Sequence, residues 1–62
     1  MTDWDQRVAA LAPYARTGTD YVRAVADNLR TARRLHADGR TEEAEYWLAE
    51  AEESLRRDAL AA

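Results

Sequence analysis

The chain is predicted to be all-α: a short N-terminal helix folded against an antiparallel helical hairpin, forming one small domain over residues 1–62. Three observations predict this. Apolar residues recur at steps of three and four along three segments, which is the period of a helix face and not of a strand. The stretch Arg33-Arg34-Leu35-His36-Ala37-Asp38-Gly39-Arg40-Thr41-Glu42-Glu43-Ala44 stops one helix and starts another within about four residues. Pro13 and Thr17-Gly18-Thr19-Asp20 punctuate the chain between the first segment and the second.

The first helix is expected over about residues 3–12. Thr2 or Asp3 can cap it, and Asp3 and Asp5 suit the positive end of its dipole. Trp4, Val8, Leu11 and Ala15 recur at the helical period. Pro13 lacks an N–H and restricts Ala12, so the helix stops or kinks there. Thr17-Gly18-Thr19-Asp20 is the next punctuation, with Gly18 ending one helix and Thr19 capping another. A continuous alternative stays open. Leu11, Tyr14, Gly18, Tyr21, Val25, Asn28, Ala32 and Leu35 step by three and four without a break, so one bent helix from Pro13 to Asp38 also satisfies the pattern.

The second helix is expected over about residues 20–37. Val22, Val25, Leu29, Ala32 and His36 form its apolar stripe. A neighbouring row, Arg16, Asp20, Arg23, Asp27, Arg30 and Arg34, alternates in sign through Asp27. That row reads as a solvent-facing ladder of pairs worth about 0.2–0.5 kcal/mol each. Basic side chains then meet the negative end of the dipole, Gly39 is available for a left-handed cap, and Thr41 can cap the next helix. So short a connection makes the flanking helices lie antiparallel and side by side.

The third helix is expected over about residues 42–60. Glutamates fill its first turn, and Arg56 and Arg57 sit near its last. Glu52–Arg56 and Glu53–Arg57 have the favourable i,i+4 orientation. Ala44, Trp47, Leu48, Ala51, Leu55 and Ala59 form the apolar face, and the Ala61-Ala62 end is expected to fray.

A domain of 62 residues buries only about 60% of its unfolded surface, which leaves a lone core marginal. The chain has no cysteine, which excludes disulfides and thiolate metal sites, and its one histidine argues against a zinc site within one chain. Association is the remaining remedy, so a homodimer or a larger protein partner is expected. No apolar run approaches a membrane span, and no basic and apolar leader is present, so a cytoplasmic protein without membrane contact is expected. All nine basic residues are arginine, and isoleucine and phenylalanine are absent. Those choices track GC-rich codons and imply a GC-rich bacterium, an actinobacterium for example, or a phage of one. Net charge is −3, divided as +2 over residues 1–40 and −5 over residues 41–62, which favours pairing of the two arms or of two copies.

Tyr46, Trp47 and Leu48 are consecutive, so on a helix they fan over about 200° and one narrow seam cannot bury all three. Tryptophan and tyrosine are the residues enriched at interface hot spots. The candidate partner-binding residues are therefore Trp4, Tyr21, Val25, Leu29, Tyr46, Trp47, Leu48 and Leu55. Arg30, Arg33, Arg34 and Arg40 cluster near the hairpin tip and suggest phosphate or nucleic-acid contact as an alternative. The net acidity and the Glu42-Glu43-Ala44-Glu45 start of the next helix argue against that alternative. Ser54 has no histidine nearby in sequence, His36 stands alone near a helix end, and no Glu-x-x-His pair occurs. No catalytic residue, metal ligand or cofactor is expected, and the chain is read as a non-enzyme.

Ala32, Ala44 and Ala51 would let the two long helices approach closely. Gly39, Ala44, Leu48 and Ala51 have the spacing of the second half of a tetratricopeptide repeat, and residues 32–51 resemble one such helical hairpin. Asn28 departs from the pattern where an aromatic is expected, as does Arg56 where a proline is expected. The resemblance implies a peptide-binding or scaffolding role. The expected function is a small interaction or oligomerisation module that docks apolar helix faces. A nucleic-acid-associated regulator and an accessory subunit of a viral particle or larger complex are the alternatives.

Overall fold

A computed structural model of the chain describes residues 2–61, with side chains as far as residue 59. Three helices follow one another: α1 (Asp3–Ala15), α2 (Arg23–Ala37) and α3 (Thr41–Ala61). The fold is all-α. α2 and α3 form a closely packed antiparallel hairpin, and α1 lies against it with more contact to α2 than to α3. The fraying expected of the Ala61-Ala62 end falls partly outside the described residues, of which Ala61 is the last and is helical.

α1 begins with a capping box. The Thr2 hydroxyl accepts from the Asp5 N–H at 3.1 Å, and the Thr2 N–H donates back to the Asp5 carboxylate at 3.3 Å. The helix continues through Pro13 to Ala15, three residues beyond the expected end. Pro13 has no N–H for the Ala9 carbonyl, but Ala9 and Pro13 are both exposed, so water can take that carbonyl.

Residues 16–22 break the chain between α1 and α2, which excludes the single bent helix. Gly18 adopts φ +144°, a conformation that side-chain-bearing residues rarely take. The segment then returns toward α1. The Tyr21 N–H donates to the Gly18 carbonyl at 3.3 Å, and the Val22 N–H donates to the Tyr14 carbonyl at 2.8 Å. That second bond satisfies a carbonyl left open at the end of α1. It also corrects two expectations: α2 starts at Arg23 rather than near Asp20, and Thr19 does not cap it. Val22 stands at the cap in extended geometry with no side-chain cap bond. The expected charge ladder is cut for the same reason. Arg16 and Asp20 fall outside the helix, and only Arg23–Asp27 is formed, at 3.8 Å.

The hairpin turn is a Schellman motif. The Gly39 N–H donates to the His36 carbonyl at 3.1 Å, and the Arg40 N–H donates to the Leu35 carbonyl at 3.0 Å. Gly39 carries the left-handed conformation the motif needs, φ +80°. Arg40 closes one helix and opens the next, because its own carbonyl accepts from the Ala44 N–H at 2.9 Å. Thr41 is therefore the first helical residue and not the cap. A Cβ at Gly39 would meet nothing within 4 Å, so Gly39→Ala is expected to cost only the backbone strain, about 1–2 kcal/mol. In a domain of this size the thermal midpoint, followed by circular dichroism, should fall by roughly 5–15 °C. An unchanged midpoint would show that the turn does not depend on this conformation.

The core lies along the hairpin seam. Val25, Leu29 and Ala32 of α2 meet Ala44, Leu48 and Ala51 of α3, and Leu11 of α1 joins them. All are 3% exposed or less. Alanine at three of these positions brings the two helices together, and the larger residues fill the layers between. A polar bond crosses the same seam: the Asn28 amide donates to Ser54 Oγ at 3.3 Å, and Ser54 Oγ donates to the Glu50 carbonyl at 2.9 Å. Ser54 is buried, and among the described residues no buried side-chain polar atom lacks a partner.

Candidate functional site

The hairpin has two flanks, and α1 covers one of them. Arg7 of α1 clamps that flank. Its guanidinium donates to both carboxylate oxygens of Glu52, at 3.0 and 2.6 Å, and to Glu45. Glu45 and Glu52 are seven residues apart, so both project from one side of α3. The hydrogen bonds from Arg7 hold the Glu52 carboxyl below its ordinary pKa, and those carboxylates hold the Arg7 guanidinium above its own. The sequence reading missed this clamp. It gave Glu52 to Arg56, but Glu52 turns to Arg7, and Arg56 pairs with Glu53 one turn earlier. Arg57 does not pair with Glu53 either, and its guanidinium lies 3.5 Å from Ser54 Oγ.

Trp4 completes the covered side near the tip, with its ring stacked on His36 at 4.2 Å between centroids and 9° between planes. Trp4 is half-buried and packed on the core, so much of its surface is already committed inside the chain. Val25, Leu29 and Leu48 are committed entirely, at 0%, 2% and 0% exposure. As candidate contacts these three are corrected: they seal the hairpin seam and have no surface left for a partner. The cause is their position on the facing sides of α2 and α3.

The other flank is open. Trp47 and Ser54 follow Glu45 and Glu52 by two residues, about 200° further around α3. On α2, Asn28 and Leu35 share a side, and the Asn28–Ser54 bond fixes the register between the helices. One heptad closer to the tip, that register sets Leu35 against Trp47. Both are half-buried. Tyr46 lies beside them, 59% exposed, with its ring edge-on to Trp47 at 5.3 Å and 90°. The fan expected of Tyr46, Trp47 and Leu48 is thus realised as one exposed, one half-buried and one buried side chain.

Tyr21 and Leu55 are brought together elsewhere. They line a cleft of about 400 Å³ at the end away from the tip, with Tyr14, Thr19, Asp20, Val22, Asp58 and Ala59. The four tip arginines do not form one patch. Arg40 is bound to Glu43 through contacts of 2.7–3.0 Å. Arg30 and Arg33 face the groove between α1 and α2, and Arg34 is exposed and does not line that groove. The separation follows from the helix period and from the turn, which gives Arg40 a glutamate three residues ahead.

Among the described residues, no group of three or more His, Asp or Glu side chains converges as a metal cage, and no helix is long and apolar enough to cross a membrane. No family model matches the chain, and neither the curated proteins nor the solved structures contain a match.

Proposed function

We propose that this chain is a small, non-catalytic, cytoplasmic interaction module that self-associates through the open flank of its hairpin. The observation that carries this reading is the aromatic pair Tyr46–Trp47 on the flank α1 leaves uncovered. Aromatic residues beside half-buried aliphatic ones are the usual composition of an interface centre. The surface area agrees in direction. The chain exposes 4560 Å², whereas a compact protein of 7.0 kDa is expected to expose about 4,000 Å². A second copy is favoured as the occupant because two identical flanks can meet about a two-fold axis, the commonest symmetry of soluble oligomers. A scaffold holding a peptide in the tetratricopeptide manner would use the same hairpin with a different occupant.

Light scattering coupled to size exclusion, run at two concentrations, tests the reading. The native chain is expected to show a mass that rises with concentration. Tyr46→Glu places a charge on an exposed position outside the core, so the fold is retained. Loss of one hot-spot aromatic costs about 2 kcal/mol, and dimer affinity should weaken about thirtyfold. Trp47→Ala should weaken it at least as much, with some loss of fold stability. A native chain that stays monomeric at millimolar concentration would overturn the proposal.

A further inference from the structure

We infer that the cleft at the end away from the tip is a second, separate docking site, fitted to an arginine-bearing segment of a partner protein. Its lining is apolar and open to solvent. Tyr14 from the last turn of α1, Val22 at the start of α2 and Leu55 of α3 are half-buried, and Tyr21 is 40% exposed. Among the described residues, Tyr21 and Tyr46 are the large hydrophobic side chains left exposed, and self-association through the open flank accounts for Tyr46 alone. Tyr21 also sits on an ordered backbone. Its N–H donates to the Gly18 carbonyl, and the N–H of Val22 donates to the Tyr14 carbonyl. The connection therefore has little backbone freedom to lose when a partner covers the ring.

The rim sets the charge of the occupant. Asp20 of the connection and Asp58 of α3 are the charged residues that line the cleft, and both are exposed. Among the described residues no arginine lines it: Arg23 turns to Asp27, Arg56 to Glu53, and Arg57 to Ser54. Carboxylates beside tyrosines match a guanidinium, which donates paired N–H bonds to a carboxylate and stacks its plane on an aromatic ring. A space of about 400 Å³ takes one or two side chains and not a whole helix, so the complement is an arginine next to an apolar residue. Two carboxylates without a third metal-ligating side chain make no metal cage, and an acidic rim repels a phosphate backbone.

The test uses the full chain and a short fluorescent peptide in which arginines alternate with leucines. Fluorescence anisotropy is expected to show binding that weakens about fivefold in D20N/D58N and about tenfold in Tyr21→Ala. A peptide with citrulline in place of arginine keeps the shape without the charge and should bind the native chain as weakly as the arginine peptide binds D20N/D58N. D38N/E42Q removes the same charge at the tip and should bind like the native chain, which separates a local rim from bulk charge. Circular dichroism should show every variant folded, because each substituted side chain is exposed. Trp47 and Leu55 are eight residues apart, about 12 Å along α3. Tyr46→Glu should therefore leave peptide binding unchanged, and D20N/D58N should leave the light-scattering mass unchanged, so this inference and the self-association proposal fail separately. Equal binding by D20N/D58N and the native chain would overturn the inference. So would no binding at millimolar peptide, equal binding of the citrulline peptide, or a fall in the light-scattering mass of D20N/D58N, which would make a second copy the occupant.

Discussion

Replacing Leu48 by alanine is expected to remove about half or more of the stability of the chain. Leu48 is completely buried and is the largest side chain of α3 in the seam. Truncating a buried leucine costs about 2.7–5 kcal/mol, the higher values arising where the surroundings cannot collapse into the cavity. Here the neighbours facing it are held by helix backbones already close together, with Ala44 and Ala51 on the same stripe of α3. Those alanines have no side chain to move into the space. A chain of 62 residues has a total stability of roughly 3–9 kcal/mol, so one substitution removes a large part of it. The thermal midpoint followed by circular dichroism should fall by roughly 10–40 °C, and the urea midpoint should fall with it. A cooperative melt within a few degrees of the native chain would mean that the seam does not supply the main stabilisation.

The second large effect is expected from Arg7→Ala, and it should be local. Arg7 is the polar tie between α1 and α3, and its side chain is only 23% exposed. Surface ion pairs are worth at most about 1 kcal/mol, but paired guanidinium–carboxylate geometry to two partners raises this to about 1–2 kcal/mol. Hydrogen exchange should then accelerate in α1 amides while those in the centre of α2 and α3 stay protected. Uniform acceleration in all three helices would instead show that α1 and the hairpin open together. Acid titration gives an independent reading. The folded-state pKa of Glu52 lies below its unfolded value, chiefly because Arg7 hydrogen-bonds its carboxylate. Over that window the folded chain binds fewer protons than the unfolded chain. The stabilisation is complete above about pH 4.3 and is lost as pH falls through the lower folded value. In Arg7→Ala this part of the acid loss should shrink, and the same variant in Glu52→Gln background should add little more.

Each step of the hairpin was legible for a specific reason. Gly39 after a basic helix end and acids before Ala44 gave the turn, because these residues satisfy groups that every helix leaves open. The stripe through Val25, Leu29, Ala32, Ala44, Leu48 and Ala51 gave the seam, because burial selects side chains at the helical period. The boundary errors have the same origin in reverse. Val22 ends in extended geometry because its N–H is taken by the Tyr14 carbonyl, a contact eight residues away that no local pattern encodes. Pro13 failed to end α1 because the carbonyl it leaves open lies on an exposed part of the helix.

The candidate contact surface was legible in composition but not in placement. Eight residues were named from hydrophobicity and aromatic character, and the fold divides them among an interior seam, the flank that α1 covers, an open flank and a distant cleft. Arg7 is the clearest omission. The pairing Glu45–Glu52, seven residues apart on one side of α3, is visible in the sequence as a site for a cation, but nothing local says which cation reaches it.

The amino-acid sequence by itself determined that this chain is helical, where the hairpin turns, and which stripes of α2 and α3 face inward. Those features depend on backbone groups and side chains within a few residues of one another. Only the tertiary structure decided which flank of the hairpin α1 covers, which arginines are engaged, and that Tyr46 stays exposed while Trp47 is half-buried against the core. Each of these rests on a meeting between residues far apart in the chain: Arg7 with Glu52, Trp4 with His36, Asn28 with Ser54. The free energy of such a meeting depends on the relative placement of whole helices, which no single helical period specifies.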